Sequence, residues 1–168
     1  KSGTDAVRMA LVVGNTPGNS IALSEDKIRA YKHFANKLWN ISRFIISNTI
    51  DITEDESVIK DTDKQLITEF DSVLSEITSD LSKYRLHTAA EKCYHYTWHR
   101  FADQILEESK PILNGNSLED KISRQQTLIY ILKGLLKALH PFMPFVTEHI
   151  WNLMYPNSIL MIQPWHIK

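Results

Sequence analysis

Ser24-Glu25-Asp26-Lys27-Ile28-Arg29-Ala30-Tyr31-Lys32-His33-Phe34-Ala35-Asn36-Lys37-Leu38-Trp39-Asn40-Ile41-Ser42-Arg43-Phe44-Ile45-Ile46-Ser47 is the stretch around which the rest of the chain is organised. Serine is a favourable N-cap, and two acids in the first turn meet the positive end of the helix dipole, so the pattern predicts a helix from Ser24 to about Ser47. At about 100° per residue, Tyr31, Ala35, Leu38, Ser42 and Ile45 fall on one stripe. Phe34 and Ile41 widen it on one side, and Ile28, Trp39 and Ile46 on the other. That face needs a partner. The opposite face collects Arg29, Lys32, His33, Asn36, Lys37, Asn40 and Arg43, and no acid occurs from Lys27 to Ile50. Phe44 lies between Lys37 and Asn40 on this polar side. Two readings are open: the ring packs under a neighbouring helix beside a solubilising face, or it is presented to a ligand. Cations hold phosphates, carboxamides bond base edges, and an aromatic ring stacks on an unpaired base, a set that suits single-stranded RNA.

Phe34-Ala35-Asn36-Lys37-Leu38-Trp39-Asn40-Ile41-Ser42-Arg43-Phe44 resembles a signature of valyl-tRNA synthetases. Three further stretches resemble the same family in the same order: Gly3-Thr4-Asp5-Ala6-Val7-Arg8, Trp98-His99-Arg100-Phe101-Ala102-Asp103 and Leu139-His140-Pro141-Phe142-Met143-Pro144-Phe145. Ordered matches over most of the chain weigh more than any single one. The sequence departs from the family pattern at Gln104-Ile105-Leu106, where an aromatic-rich continuation is expected, which puts contacts from that helix in doubt.

The length of 168 residues, with 43% hydrophobic and 23% charged residues, fits one globular domain with a real core. A formal net charge of -1 excludes a uniformly basic nucleic-acid binder, but the charges are segregated. Asp51 to Asp80 carries ten acids against Lys60 and Lys64, so this stretch is expected to lie away from RNA. Cys93 is the single cysteine, which rules out an intramolecular disulfide and a thiolate zinc cluster. No long apolar span or secretory pattern is seen, and a soluble, cytoplasmic chain with no membrane partner is expected.

Around the central helix, Thr4 is a candidate N-cap for a short helix over Asp5 to Val13, stopped by Gly14. Asn15 to Asn19 reads as a turn and Asn48 to Asp61 as an acidic loop. Thr62 and Gln65 form a capping-box pattern ahead of Leu66, Phe70, Val73, Ile77, Leu81 and Tyr84. A third long helix is expected from about His87 to Glu108, with Ala90, Tyr94, Trp98, Phe101 and Ile105 inward and Pro111 beyond its end. Ser117, with Asp120 three residues later, opens a fourth that runs to about His140. Its core side is Ile122, Leu128, Ile129, Leu132, Leu135, Leu136 and Leu139, and Gly134 marks either close packing or a tolerated glycine. Pro144 suits the first turn of a shorter fifth, ending near Met154. Ile159 to Ile162 reads as a short strand or an extended apolar segment. The fold class is all-α: a bundle of four long helices plus a shorter fifth, of the class I synthetase anticodon-binding type that the resemblance implies.

Glu91, His95 and His99 share a helical face, the most metal-like arrangement in the chain. The His-Glu-x-x-His pattern and the paired Glu-x-x-His motifs of di-iron bundles are absent, and Asp103 could orient His99, so no metal is assigned. No Walker loop, dinucleotide fingerprint or nucleophile elbow is present, and no catalytic residue is assigned. Trp39, Trp98 and Trp151 fit core or boundary positions.

The resemblance implies an anticodon-binding domain of a valine-tRNA ligase, a piece of an enzyme that uses ATP and magnesium to attach valine to its tRNA. It implies no cofactor for the piece itself. Residues 1-23 would then be a connector from a catalytic domain of the same polypeptide, 24-155 the binding domain, and 156-168 an extended exit. The expected partners are that catalytic domain and the anticodon loop of the valine tRNA, whose identity lies chiefly in the middle A and the following C. Lys37 is assigned to base or phosphate contacts and Phe44 to stacking, with Asn36, Asn40, Arg43, Arg29 and His33 as neighbours. The rivals are a helical protein-interaction scaffold without RNA binding and an intact helical metalloenzyme.

Overall fold

The computed structural model describes residues 3–14, 18, 23–49 and 52–165. These residues build seven α-helices and one π-helical segment, with no strand among them: α1 (Thr4–Val12), α2 (Glu25–Thr49), α3 (Asp61–Ser82), α4 (Leu86–His95), the π segment (Tyr96–Ile105), α5 (Leu106–Leu113), α6 (Leu118–Leu139) and α7 (Pro144–Met154). No helix among the described residues is long and apolar enough to cross a membrane. The all-α reading therefore holds: α2, α3, the continuous run from α4 through the π segment to α5, and α6 are the four long helices, α7 is the shorter fifth, and α1 is the short helix expected over Asp5 to Val13. Apart from Gly18, the turn expected at 15–19 lies outside the described residues.

α2 forms as its pattern dictates. Ser24 Oγ accepts the Lys27 N–H at 3.1 Å, and Phe34, Leu38, Ile41, Ser42 and Ile45 are buried. The buried strip is the Phe34–Ile41 side of the expected stripe, where Phe34 meets Tyr94 of α4 and Trp98 of the π segment. Tyr31, Ala35 and Trp39 are left half-buried.

α6 is the axis of the bundle. Every residue from Ser123 to Ile129 is buried, so neighbours enclose it on all sides. The polar members of that run receive the acidic loop. Gln126 Nε2 donates to the Thr53 carbonyl at 2.7 Å, its Oε1 accepts the Asp55 N–H at 3.1 Å, and Ser123 Oγ accepts the Lys60 N–H at 2.9 Å. Buried backbone polar groups need such partners, and here the loop's are supplied from α6. The loop is consequently strapped to the bundle, and Ile59 is buried under it.

This strap corrects the expected start of α3. With Lys60 held by Ser123, the helix begins at Asp61 with Lys60 as its N-cap, and no side chain caps it; Thr62 is exposed inside the first turn. At the other end Tyr84 adopts a left-handed conformation (φ 57°) and is 87% exposed, outside the inner stripe expected for it. α1 likewise starts on Gly3 rather than on a Thr4 cap, while Gly14 (φ 73°) stops it as expected.

The third long helix is continuous from α4 through the π segment into α5, and Pro111 lies inside its last turns rather than beyond its end. Ser117 Oγ accepts the Asp120 N–H at 3.3 Å and Pro144 occupies the first turn of α7, both as expected. Ile159–Ile162 is no strand: Leu160–Ile162 form a 3-10 turn, because the Glu148 carboxylate takes the Leu160 and Met161 N–H groups.

Gly134 marks close packing. A Cβ there would lie 2.4 Å from the Phe70 ring, which is itself 1% exposed, so the ring would have to shift. Gly134→Ala gains about 1 kcal/mol of helix propensity but overpacks the core at a typical cost of about 1–3 kcal/mol. Net destabilisation in denaturant unfolding is expected, with recovery when Phe70→Leu is added. A variant as stable as the parent would mean the ring can move aside.

Candidate nucleic-acid interface

The four family-like stretches meet in two pairs. Asp5, from α1, accepts the Phe145 and Val146 N–H groups at 3.3 and 2.7 Å, satisfying the open N-terminus of α7. Arg8 donates to the Phe142 and Pro141 carbonyls at 3.2 and 3.0 Å. The first and last stretches thus lock each other in a structural joint. His140 sits in it with Nδ1 2.9 Å from Thr147 Oγ1, and burial pushes its imidazole below the usual histidine range.

The second pair builds a groove. α2 faces the π segment and α5 across an open trough of about 680 Å3. Ile41, Phe44, Ala102 and Leu106 supply apolar surface; His33, Asn36, Lys37 and Asn40 line one side, and Trp98, Asp103, Glu107 and Lys110 the other. Phe44 is half-buried: it packs on the core and also lines the groove. Five of the seven α2 residues singled out therefore come together: His33, Asn36, Lys37, Asn40 and Phe44. Arg29 and Arg43 are exposed and outside that lining, and Arg29 pairs with Asp26 at 3.2 Å.

Lys37 is the surprise of the site. Its Nζ donates to Asp103 Oδ1 at 2.5 Å and lies 4.4 Å from the centre of the Trp98 ring, which in turn stacks on Phe34 at 6.2 Å. Local spacing hid this. At an α-helical step, residues five apart diverge by about 140°, but a π turn bonds i to i+5, as in the Leu106 N–H to Phe101 carbonyl bond. Trp98 and Asp103 are thereby aligned beneath the same lysine. His99 Nδ1 stays 3.7 Å from the other Asp103 oxygen, so the acid serves Lys37 first.

Glu91 and the two histidines of this helix have structural partners, whereas Tyr96 Oη and Thr97 Oγ1 are buried with no hydrogen-bond partner among the described residues. Glu91 accepts the Gly14 N–H at 3.1 Å, while His95 and His99 stack on one another at 5.6 Å. No cluster of three possible metal ligands occurs among the described residues. Arg100 grips Glu69 through two bonds of 2.6 Å, which hold that carboxyl below its usual range.

A family model described as the anticodon-binding domain of tRNA ligase matches residues 63–168, more than half of the chain. The chain belongs to that family. The match begins after α2 and so includes one wall of the groove; alignments with relatives span both. A valine–tRNA ligase of Pelagibacter ubique is 38% identical over 98% of this chain and 20% of its own length. Those of Carboxydothermus hydrogenoformans and Clostridium tetani are 36% and 35% identical, over 97% and 98% of this chain and 19% of their own lengths. The chain thus spans about a fifth of the length of the curated relatives it matches. Among solved structures, the LeuRS of Agrobacterium radiobacter, in a ternary complex with tRNA and LeuAMS, superimposes with a TM-score of 0.73 at 16% identity. It covers 96% of this chain and 19% of that one, a likeness of fold.

Proposed function

We propose that this chain is the anticodon-reading part of a valine–tRNA ligase and binds the anticodon loop of the valine tRNA in the groove between α2 and the π segment. The observation that carries the reading is the groove itself, where the half-buried Phe44 ring meets carboxamide and cationic side chains. Phe44 stacks on an unpaired base. Asn36 and Asn40 reach base edges, and His33, Arg29 and Arg43 draw in the backbone. Lys37 contacts the RNA from within the groove.

The whole enzyme would join valine to its tRNA with ATP and magnesium, in a catalytic domain outside this chain and in the cytoplasm. Residues 1–23 lead in from that domain, α1 being folded against the bundle, 24–155 bind RNA, and 156–168 lead out. The test is a titration of the chain with the valine tRNA and with the same tRNA carrying a replaced anticodon. A preference of about tenfold or more, equivalent to about 1.4 kcal/mol, is expected for the matched anticodon. Equal affinities would defeat the reading.

A further inference from the structure

We propose that Asp103 is a specificity-determining positioning residue: by holding Lys37 against the Trp98 ring, it makes this lysine a reader of base edges instead of a phosphate anchor. The inference rests on the anticodon-reading function proposed above.

An ammonium has three N–H donors. One of Lys37 is spent on Asp103 at 2.5 Å, and the face of Trp98 attracts the charge from 4.4 Å. The Lys37 side chain is 27% exposed, against 63% for Arg29, so the ammonium sits within the groove, with the 46% exposed Asp103 beside it where a ligand can reach its second oxygen. A phosphate approaching Lys37 also approaches a carboxylate bonded to the same nitrogen. Attraction and repulsion nearly cancel, and pulling the lysine away would leave Asp103 facing the phosphate. A neutral base meets no such penalty. The remaining Lys37 donors and the second Asp103 oxygen together offer a donor beside an acceptor, the pattern that the edge of a nucleobase complements. Phosphate attraction falls instead to the exposed Lys32 and Arg43 of the same helix, which carry no such carboxylate partner among the described residues.

The pair separates affinity from discrimination, and salt titration reads the difference. Asp103→Asn keeps the size and one acceptor but removes the opposing charge. The freed ammonium then becomes a phosphate contact, and the slope of log K against log salt steepens by roughly one. Binding of a tRNA with a replaced anticodon tightens, and the preference for the valine tRNA falls by roughly tenfold, each base contact being worth a factor of that order. Lys37→Met is expected to leave the slope unchanged while the preference falls.

A merely structural ion pair would move the unfolding midpoint and leave the slope alone. Unchanged slope and preference in a folded Asp103→Asn chain would therefore overturn the proposal. So would a Lys37→Met slope shallower by roughly one with the preference intact, the signature of a phosphate anchor. Should Asp103→Asn fail to fold, Lys37→Met alone decides by the same criterion. If the unmodified chain shows no preference between the two tRNAs, the anticodon reading falls first and this inference with it.

Discussion

Arg124→Ala is expected to lower the unfolding free energy by about 3–5 kcal/mol, because it strands a carboxylate in the core. Arg124 is 8% exposed and donates through Nε and Nη2 to Asp63 Oδ1 at 2.8 and 2.7 Å, and through Nη1 to Ser109 Oγ at 3.1 Å. Ser123 donates to the other Asp63 oxygen at 2.6 Å, and Ser109 passes its own proton to the Ile105 carbonyl at 2.6 Å. Every member has a partner, and the network ties α3, the end of the π segment, α5 and α6 together where one wall of the groove begins. With about 2–4 °C per kcal/mol for a domain of this size, the melting temperature should fall by roughly 10 °C. Arg124→Met combined with Asp63→Leu replaces the charges with apolar volume and should recover much of that loss, since a buried ion pair is costly mainly when half of it is removed. A loss below about 1 kcal/mol for the single variant would mean that water reaches Asp63.

Phe44→Ala is expected to weaken binding of the valine tRNA by about 1–3 kcal/mol, the range for removing a base-stacking ring. The stability cost should be smaller than the about 3–5 kcal/mol of a fully buried phenylalanine, because one side of the ring faces the groove. Phe44→Leu separates the two roles by keeping apolar contact with the core while removing the stacking surface. Normal stability with weakened tRNA binding is expected for it. Normal binding by a stable Phe44→Leu or Phe44→Ala chain would remove the ring from the interface.

The parts of the fold that were legible in the sequence are those dictated by neighbours along the chain. α2 has a cap, acids in its first turn and an unbroken apolar stripe, and Ser117, Gly14 and Pro144 act within a turn of themselves. What escaped was long-range. Thr62 offers a good cap on paper, but Lys60 is pinned by Ser123 from α6. Asp5 and Arg8 serve an end of α7 and a turn some 130–140 residues away. The candidate site was half legible: the α2 side of the groove follows from helical periodicity, with Phe44 as its irregular member. The opposite side, with Asp103 under Lys37, depends on a π turn whose i to i+5 alignment no α-helical projection contains. Arg29, a cation on the same face as Lys37, precedes the groove's α2 lining, which runs from His33 to Phe44; Arg43 falls within that span but is exposed outside the lining.

The most direct test of the central claim is a nuclease footprint of this chain on the valine tRNA. Protection confined to the anticodon loop, and lost with Phe44→Ala while the chain stays folded, is the result expected. Protection of the acceptor stem or elbow with the anticodon loop left open to cleavage would contradict it.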